Sequence, residues 1–480
     1  MDNELSALTI IFTEFYYWVT VVMMFLIHVG FCLYEVGVSR EKNKINTLMK
    51  NAMLVPVITV AFFFFGWWIY FACQNEPWTW LSGGSTDPAA TVGLKDAPHA
   101  TPWGELMGPH MGGKPASEAV TGEQTAMWAR LNGVFWAAFL LFAWTAGSIL
   151  SGAVIERIRS WAFWLLAALV GSVTWVIDAA WGWSDAGWMV ERLGYHDAYA
   201  SGVIHALAGG SALAILIHLG PRIGRFREDG TPWVMPPHNT WMVIIGLFLI
   251  YTGFWGFYAA CNVPIMDIDP DDGRTFFSAT TIYLTPTTLS AITLNFIMAL
   301  AAGMLSGYWV SNGDPFWTFS GGLGGIIAAS AGNDLYHPFQ AFLISAVAVW
   351  CAYKLHYWVE RKFKIDDAVG AVAVHGYCGT IGVIVAGFVL WGYPSSPYDG
   401  YAAINPIGQV IGAVIMFFGL GFLPCYILAG ILKHFGLLRI PHEVELAGLD
   451  FDLRRDEYSQ REDIHLAERE ALEPLSRNGL

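Results

Sequence analysis

Long apolar segments recur along almost the whole of this 480-residue chain. Each is close to, or longer than, the roughly 20 residues that an α-helix needs to cross a bilayer core. The first, around Phe15–Tyr34, contains no charged side chain apart from the weak base His28. Only 13% of the residues are charged, against about 25% in an ordinary soluble domain. The sequence therefore predicts an all-α polytopic membrane protein.

We predict eleven transmembrane helices. Their approximate limits are residues 12–35, 50–73, 131–154, 161–183, 199–219, 239–262, 276–309, 315–331, 338–359, 368–392 and 403–432. The predicted organisation is a transmembrane domain over residues 1–432 and a tail over residues 433–480. An outer surface loop is expected at residues 74–125, and a short charged helix is expected in the tail, at Asp463–Leu472.

The basic residues predict how the chain is oriented in the membrane, because Lys and Arg concentrate in cytoplasmic loops. If the N-terminus lies outside, five of the 25 Lys and Arg residues fall on the outer side: Lys95, Lys114, Arg130, Arg192 and Arg274. We therefore predict an outside N-terminus and a cytoplasmic C-terminus, in a cell membrane. The side that carries the other basic residues is called the predicted inner side below. No basic segment precedes the first span, so we expect no conventional cleaved signal peptide.

Several classes of function find no support in the sequence. The net charge of -14 lies mainly in outer loops and in the tail, and gives no indication of nucleic-acid binding. The six cysteines form no CxxC pair, so neither a zinc site nor a disulfide framework is expected. We find no nucleophile–base constellation and no phosphate-binding loop, so neither an enzyme nor a cofactor is expected.

Two of the spans share an internal sequence repeat. Asp197 precedes His205 by eight residues, and Asp367 precedes His375 by the same distance. The two spans run in opposite directions, which is typical of an inverted repeat with halves at about 12–219 and 239–392 and one final helix. Eight helical residues rise about 12 Å, so both histidines should approach the midplane of the bilayer. Two helices related by the axis of an inverted repeat would bring these histidines close together.

The two histidines are candidates for a functional site, because ionisable side chains deep in a membrane are costly. By contrast, His28 and His218 are interpreted as packing or interfacial residues. A haem site is an alternative, although membrane cytochromes usually carry two His ligands on one helix. Cys378, three residues after His375, leaves a metal site open as well. The two aspartates have a simpler alternative role as helix caps.

Several longer motifs resemble one known family. They are EVGVSREKNKINTLMKN, GAVIERIR, DAYASGVIHALAGG followed by LGPRIGRF, HNTWMVIIG, TGFWGFYAA and KIDDAVGAVAVHGYCGTIG. The chain resembles the ammonium transporter, methylammonium permease and Rhesus protein family from about Cys32 to Asp450. The resemblance implies an eleven-helix protomer with its own pore, in a homotrimer.

The resemblance also implies roles for particular residues. His205 and His375 would be the twin pore histidines, and Asp197 would lie near an outer site that recruits ammonium. The expected substrate-binding residues are Trp183 (with Trp181 as the alternative), Phe142, Phe257 and Cys261. The family commonly has Asn and Ser where this chain has Tyr258 and Cys261, and a thiol is a weaker acceptor than a hydroxyl. Asp178 is expected near the outer surface, where it would either attract cations or be solvated.

The implied function is ammonium transport, in which NH4+ is recruited at the aromatic vestibule, deprotonated, and conducted as NH3 past the histidines. Two alternatives remain: an ammonium sensor that conducts little, and a Rhesus-like channel for NH3 or CO2. The tail segment LRIPHEVELAGLDFDLRRDEY is similar to the family up to about Asp450. Family members often bind a cytoplasmic regulator of the PII type, so the resemblance implies such a partner as a possibility. The lipid bilayer is the other expected partner.

Overall fold

The structure is a computed structural model that describes residues 2–66, 69–70, 73, 123–268, 275–283 and 285–451. Side chains are described from residue 11 onward, with gaps in the same regions. Nearly all of the expected outer loop 74–125, and the whole of the expected tail helix Asp463–Leu472, lie outside these residues.

Ten helical segments in the described residues are long and apolar enough to cross a membrane. They are Ile11–Val38, Glu41–Gly66, Gly133–Ala153, Ser160–Gly182, Ser201–Leu219, Thr240–Ala260, Leu289–Val310, Pro338–Phe363, Val372–Val389 and Pro406–His434. The segment predicted at 315–331 is also a helix, Pro315–Ala329, but it has only 15 residues. At 1.5 Å per residue it is about 22 Å long, which is shorter than the hydrocarbon core.

Five of these ten segments combine α-helix with another helical form. The α-helices are Asp2–Val38, Lys44–Ala61, Glu123–Ala153, Ser160–Leu169, Trp175–Gly182, Trp188–Leu193, Leu207–Leu219, Thr240–Ala260, Leu289–Val310, Pro315–Ala329, Pro338–Phe363, Cys378–Val389, Pro406–Val414, Leu423–His434 and His442–Ala447. A 3₁₀ turn covers Glu41–Asn43. Wider π-helical turns cover Phe62–Gly66, Val170–Thr174, Ser201–Ala206, Val372–Tyr377 and Ile415–Phe422.

One predicted span begins too early, and the fold is not purely helical. The prediction of a span over 276–309 is wrong for its first part, because an antiparallel sheet occupies that region: β1 is Asn262–Ile268, β2 is Thr275–Thr281 and β3 is Pro286–Thr287, in the order β1-β2-β3. The segment TFFSATT is rich in aromatic and β-branched residues, which favour strands. The helix starts only at Leu289, where the hydroxyl of Thr288 accepts a hydrogen bond from the Ala291 N–H.

Small residues let the membrane helices approach closely. A Cβ atom added at Gly30 would lie 2.6 Å from the carbonyl oxygen of Gly246, so the first span and the helix Thr240–Ala260 touch backbone to backbone. Large apolar side chains instead cover the outside, and Trp241 and Trp309 are 78% and 77% exposed. An apolar exterior of this kind suits a lipid environment.

Charged side chains join the segments on the predicted inner side. Arg222 donates to both oxygens of Asp366, at 2.9 Å each, and Arg40 pairs with Glu156 at 2.6 Å. Burial alone would raise the pKa of Asp366, but the guanidinium groups of Arg222 and Arg157 hold it well below its usual value. These pairs connect loops that are far apart in the sequence, so the ends of many spans meet on one face.

The segment after the last span belongs to the same face. Arg439 donates to Glu445 at 2.7 Å, and the other oxygen of Glu445 accepts from the Ile223 N–H at 2.7 Å. The carboxylate of Asp450 accepts from the N–H groups of Ile45 and Asn46, at 2.8 and 2.9 Å. The beginning of the predicted tail is therefore fixed to the inner loops.

Candidate pore site

The carboxylate of Asp197 caps the helical segment that carries His205. It accepts hydrogen bonds from the N–H groups of Ser201, Gly202 and Val203, at 2.7, 2.8 and 2.9 Å. Tyr195 donates its hydroxyl to the same carboxylate at 3.2 Å. Asp197 is fully buried and already satisfied, so in this structure it positions the helix and does not face the solvent.

Asp367 caps the segment that carries His375 in the same way. Its two oxygens accept from the N–H groups of Ala371 and Val372, at 2.9 and 2.8 Å. Burial raises the pKa of Asp197 to about 6, although the three backbone N–H groups oppose that rise. Burial likewise raises the pKa of Asp367 to about 7, against its two N–H donors.

The backbone between each aspartate and its histidine follows one pattern. The third residue after each aspartate is left-handed: Ala200 has φ 68° and Gly370 has φ 68°. A π-helical turn follows in both places, and it contains the histidine. Turns of this type are rare and occur frequently at functional sites. Sequence reasoning did not identify them.

The two histidines meet in the protein interior. The Nδ1 atoms of His205 and His375 are 3.0 Å apart, a distance at which one ring donates and the other accepts. The ring centroids are 5.2 Å apart and the planes differ by 26°. His205 is fully buried and His375 is 5% exposed. The contact that the sequence spacing predicted between these rings is therefore present.

Glycines make this contact sterically possible. A Cβ atom at Gly209 would lie 2.1 Å from Cα of Gly376, and one at Gly379 would lie 2.2 Å from the carbonyl oxygen of Ser201. Cβ atoms essentially never come this close to backbone, so both positions require glycine. The two histidine-bearing segments therefore touch through their backbones at the depth of the imidazoles.

Aromatic rings continue the line of the histidines in one direction. The ring of Phe257 lies 5.8 Å from His205 and 4.7 Å from Phe142, and Phe142 lies 4.9 Å from Trp183. Trp183 donates its indole N–H to the carbonyl of Ala198 at 3.3 Å. The structure thus brings Trp183, Phe142, Phe257 and both histidines into one column. Trp181, the alternative to Trp183, instead packs 5.8 Å from Trp188.

The two positions where the chain departs from the family pattern are occupied by buried side chains. The thiol of Cys261 donates to the Phe257 carbonyl at 3.2 Å, one helical turn back. The ring of Tyr258 stacks on Tyr199 at 4.1 Å, and its hydroxyl receives the Asn333 side-chain amide at 2.9 Å. Among the described residues, the ring contacts and hydrogen bonds of Tyr258 lie outside the aromatic column, and Cys261 reaches the column only through the backbone carbonyl of Phe257.

The expectation of a solvated Asp178 is wrong. Asp178 is fully buried, and both of its carboxylate oxygens lack a hydrogen-bond partner within the part of the chain that the structure describes. Its helix, Trp175–Gly182, follows the π turn Val170–Thr174 and packs inward, so proximity to the end of the span did not imply exposure. Sequence position alone indicates depth along a helix, not the direction a side chain points.

Two residues that sequence reasoning missed complete the surroundings of the histidines. Phe254 stacks on His205 at 5.8 Å, and Phe31 lies 6.4 Å from His375 on the other side. Phe254 stands three residues before Phe257, the spacing that places two side chains on one helix face, and this signal was available. The fully buried pair His196–Asp334, at 2.9 Å, was also missed.

His28 and His218, which were interpreted from the sequence as packing or interfacial residues, have packing contacts. His28 lies 3.3 Å from the Ser148 hydroxyl, and His218 packs 4.2 Å from Tyr426.

A Cβ atom on Gly324 would lie 3.1 Å from Sγ of Cys378, so the thiol faces the helix Pro315–Ala329. Among the described residues, no group of three or more His, Cys, Asp or Glu side chains could hold a metal ion.

The fold and the site together define a polytopic helical membrane protein with a buried line of aromatic and imidazole rings between its spans. The family model described as Ammonium Transporter Family matches residues 14–457. The chain therefore belongs to the Ammonium Transporter Family, a family of transporters and not of enzymes.

Relatives and solved structures agree with this membership. The chain is 28% identical over 461 residues to "Ammonium transporter Amt2" of Archaeoglobus fulgidus, covering 89% of this chain and 84% of that protein. It is 30% identical over 442 residues to "Ammonium transporter Amt2" of Methanocaldococcus jannaschii, covering 89% and 87%.

Two solved structures share the fold at lower identity. One, titled "Sensor Amt Protein", has a TM-score of 0.71 at 22% identity and covers 94% of this chain and 99% of that chain. The other, Rh50 of Nitrosomonas europaea, has a TM-score of 0.57 at 18% identity and covers 98% of each.

Proposed function

We propose that this protein transports ammonium across the membrane, recruiting NH4+ at the aromatic end of the column and passing NH3 between His205 and His375. The observation that carries the proposal is the 3.0 Å contact between the two Nδ1 atoms, deep in the fold and in line with the rings of Phe257 and Phe142. Family membership supports the same substrate.

The aromatic end of the column suits an initial cation site. The rings of Trp183, Phe142 and Phe257 present negative faces that attract a cation by about 0.5–2 kcal/mol per ring, depending on exposure. Such attraction does not by itself separate NH4+ from K+, which has a similar size and the same charge. Hydrogen-bond acceptors at the site would favour NH4+, since it is a donor.

NH4+ then gives a proton to water at the outer, aromatic end of the column, and this loss of a proton provides the selectivity. A bare cation in the apolar column is strongly disfavoured, whereas neutral NH3 is not. Potassium has no proton to lose. In the shared bond one imidazole carries its hydrogen on Nδ1 and the other offers a free Nδ1, so each ring retains one further nitrogen. His205 Nε2 is buried without a partner among the described residues and is available to NH3.

Further features of the proposal concern topology and assembly. We infer an inverted arrangement of two halves, at about 12–219 and 239–392, plus a final span at 403–432. The matching caps, left-handed residues and π turns support it. The orientation with the C-terminus inside rests on the basic residues. A homotrimer, an inner-membrane location and a PII-type regulator are proposed by resemblance.

The test is the initial rate of ammonium uptake into proteoliposomes, with potassium as competitor. His205→Ala and His375→Ala should each abolish ammonium flux or its selectivity against potassium. His28→Ala is the matched control, because His28 is also a buried intramembrane histidine but packs against Trp144, 5.2 Å away. Wild-type flux and selectivity in both pore variants, at equal protein abundance, would refute the proposal.

A sensor that binds ammonium but conducts little is the second candidate. Tyr258 and Cys261 favour it, because they replace the Asn and Ser that the family commonly has beside the outer phenylalanine. A solved structure with the same fold is titled "Sensor Amt Protein". Binding of ammonium to purified protein without flux in the proteoliposome assay would decide for the sensor.

A further inference from the structure

A small cavity continues the pore beyond His375 on the predicted inner side. It is lined by Phe31, Tyr34, Glu35, Ser320 and His375, together with apolar side chains, and has room for about one water-sized molecule. Phe31, Tyr34 and Glu35 come from the inner end of the first span. A molecule that leaves His375 toward the inner side therefore meets a glutamate.

Glu35 is held firmly in the wall of this cavity. It is 1% exposed, and its carboxylate accepts the side-chain amide of Asn51 at 2.9 Å and the hydroxyl of Ser151. Lys50 reaches the same place through Ser151, because its ammonium group donates to the Ser151 carbonyl at 2.6 Å. Three different spans thus contribute polar groups around one buried carboxyl.

The location has a chemical consequence. Ammonia that has passed the histidines without charge must gain a proton to become ammonium in water. Carboxyl groups buried in membrane proteins commonly form proton relays. Glu35 and His375 both line this cavity, and Glu35 supplies the one carboxyl among its lining residues, next to an imidazole of the proposed pore.

We propose that Glu35 is the proton-exchange group at the inner end of the pore. The carboxylic acid of Glu35 gives its proton to arriving NH3: the O–H bond breaks, an N–H bond forms, and NH4+ and a carboxylate result. The carboxylate then takes a proton from hydronium in the inner solution. This inference rests on the proposed passage of neutral NH3.

The competing explanation is that Glu35 only compensates the charge of Lys50 and ties the spans together. The two explanations differ for Glu35→Gln, which keeps an acceptor oxygen for one of the two donors, Asn51 or Ser151, but cannot carry the proton. They also differ for the double variant Glu35→Gln with Lys50→Met, in which neither charge remains. Proton exchange predicts that both variants are slow, whereas charge compensation predicts that the double variant recovers.

The experiment measures initial ammonium flux in proteoliposomes for the wild type, both Glu35 variants, Lys50→Met, His205→Ala and His375→Ala. Flux in Glu35→Gln and in the double variant should fall by about 100-fold, the low end of what a positioned proton donor contributes. Wild-type flux in Glu35→Gln, or recovery in the double variant, would overturn the inference. If His205→Ala and His375→Ala also keep wild-type flux and selectivity against potassium, the proposed function fails instead.

A measurement on the wild type keeps the inference testable if the variants fold poorly. With outside pH fixed, raising the inside pH should lower the initial inward flux, because the acid form of Glu35 is depleted. The titratable groups around Glu35 are Cys32 and Tyr34 on its own helix, Lys50 on the next span and His375 across the cavity. Flux that does not change with inside pH would overturn the inference.

Discussion

Removing the two capping aspartates one at a time tests how the histidine segments are held. In Asp197→Ala three backbone N–H groups lose their acceptor, and in Asp367→Ala two do. A buried donor without a partner costs about 1–3 kcal/mol. At about 1.5 kcal/mol each, the losses are about 4.5 and about 3 kcal/mol. Tyr195 adds little, since its hydroxyl also contacts the Met416 sulfur at 2.8 Å.

The two losses are measured best as a difference. Part of each loss of unfolding free energy is offset, because the variant no longer buries a carboxylate. The offset is larger for Asp367, whose pKa burial raises to about 7, than for Asp197, whose pKa it raises to about 6. Asp197→Ala should therefore lower the free energy of unfolding by at least about 1.5 kcal/mol more than Asp367→Ala does.

The assay is unfolding of the purified protein in mixed micelles by increasing SDS at pH 8, where both carboxylates are ionised, followed by tryptophan fluorescence. Asp399→Ala, at an exposed position, is the control and should stay within about 0.5 kcal/mol of the wild type. A larger loss in Asp367→Ala than in Asp197→Ala, or a loss in Asp197→Ala no larger than in the control, would refute the reasoning.

Three further predictions concern stability and use the same unfolding measurement. Asp178→Val should raise the free energy of unfolding by about 1–3 kcal/mol, because it removes a buried carboxyl that has no hydrogen-bond partner among the described residues, and Asp178→Asn should give no such gain. Gly370→Ala should cost about 1–2 kcal/mol, since its φ is 68°, whereas Gly133→Ala, where an added Cβ atom meets no described atom within 4 Å, should cost nothing. Burial raises the pKa of Asp197 from 3.8 to about 6, so its contribution to stability is complete below about pH 4 and is lost as the pH rises through 6. Between pH 4 and pH 7, wild type should lose about 2.4 kcal/mol relative to Asp197→Asn, and a constant difference between the two would contradict this.

Much of the candidate site could be predicted from the spacing of residues in the sequence. Eight residues between aspartate and histidine, repeated in two spans, were enough to predict that His205 and His375 meet. This worked because a helix fixes the depth of a residue once its capped end is known. The aromatic positions Phe142, Trp183 and Phe257 came from family resemblance.

Other features could not be predicted, for identifiable reasons. A π turn depends on how neighbouring helices pack against the backbone. Over only six residues, its hydrogen-bond pattern produces no periodicity that could be recognised in the sequence. The left-handed backbone at Gly370 is suggested by glycine, but the same conformation at Ala200 is not. The strand β2 was read as part of a span because no charged residue separates it from the helix that begins at Leu289.

The backbone contact between Gly209 and Gly376 has a consequence for how the proposed pore could change over time. With no side chain between the two segments at this contact, their separation is set by the main chain, and rotamer changes at this contact cannot increase it. Even one added methyl group would act as a wedge and force the segments apart. Adaptation to a bulkier solute would therefore have to move whole helices. A change in the chemistry of the proposed pore at constant helix separation would need only different side chains on the same backbone.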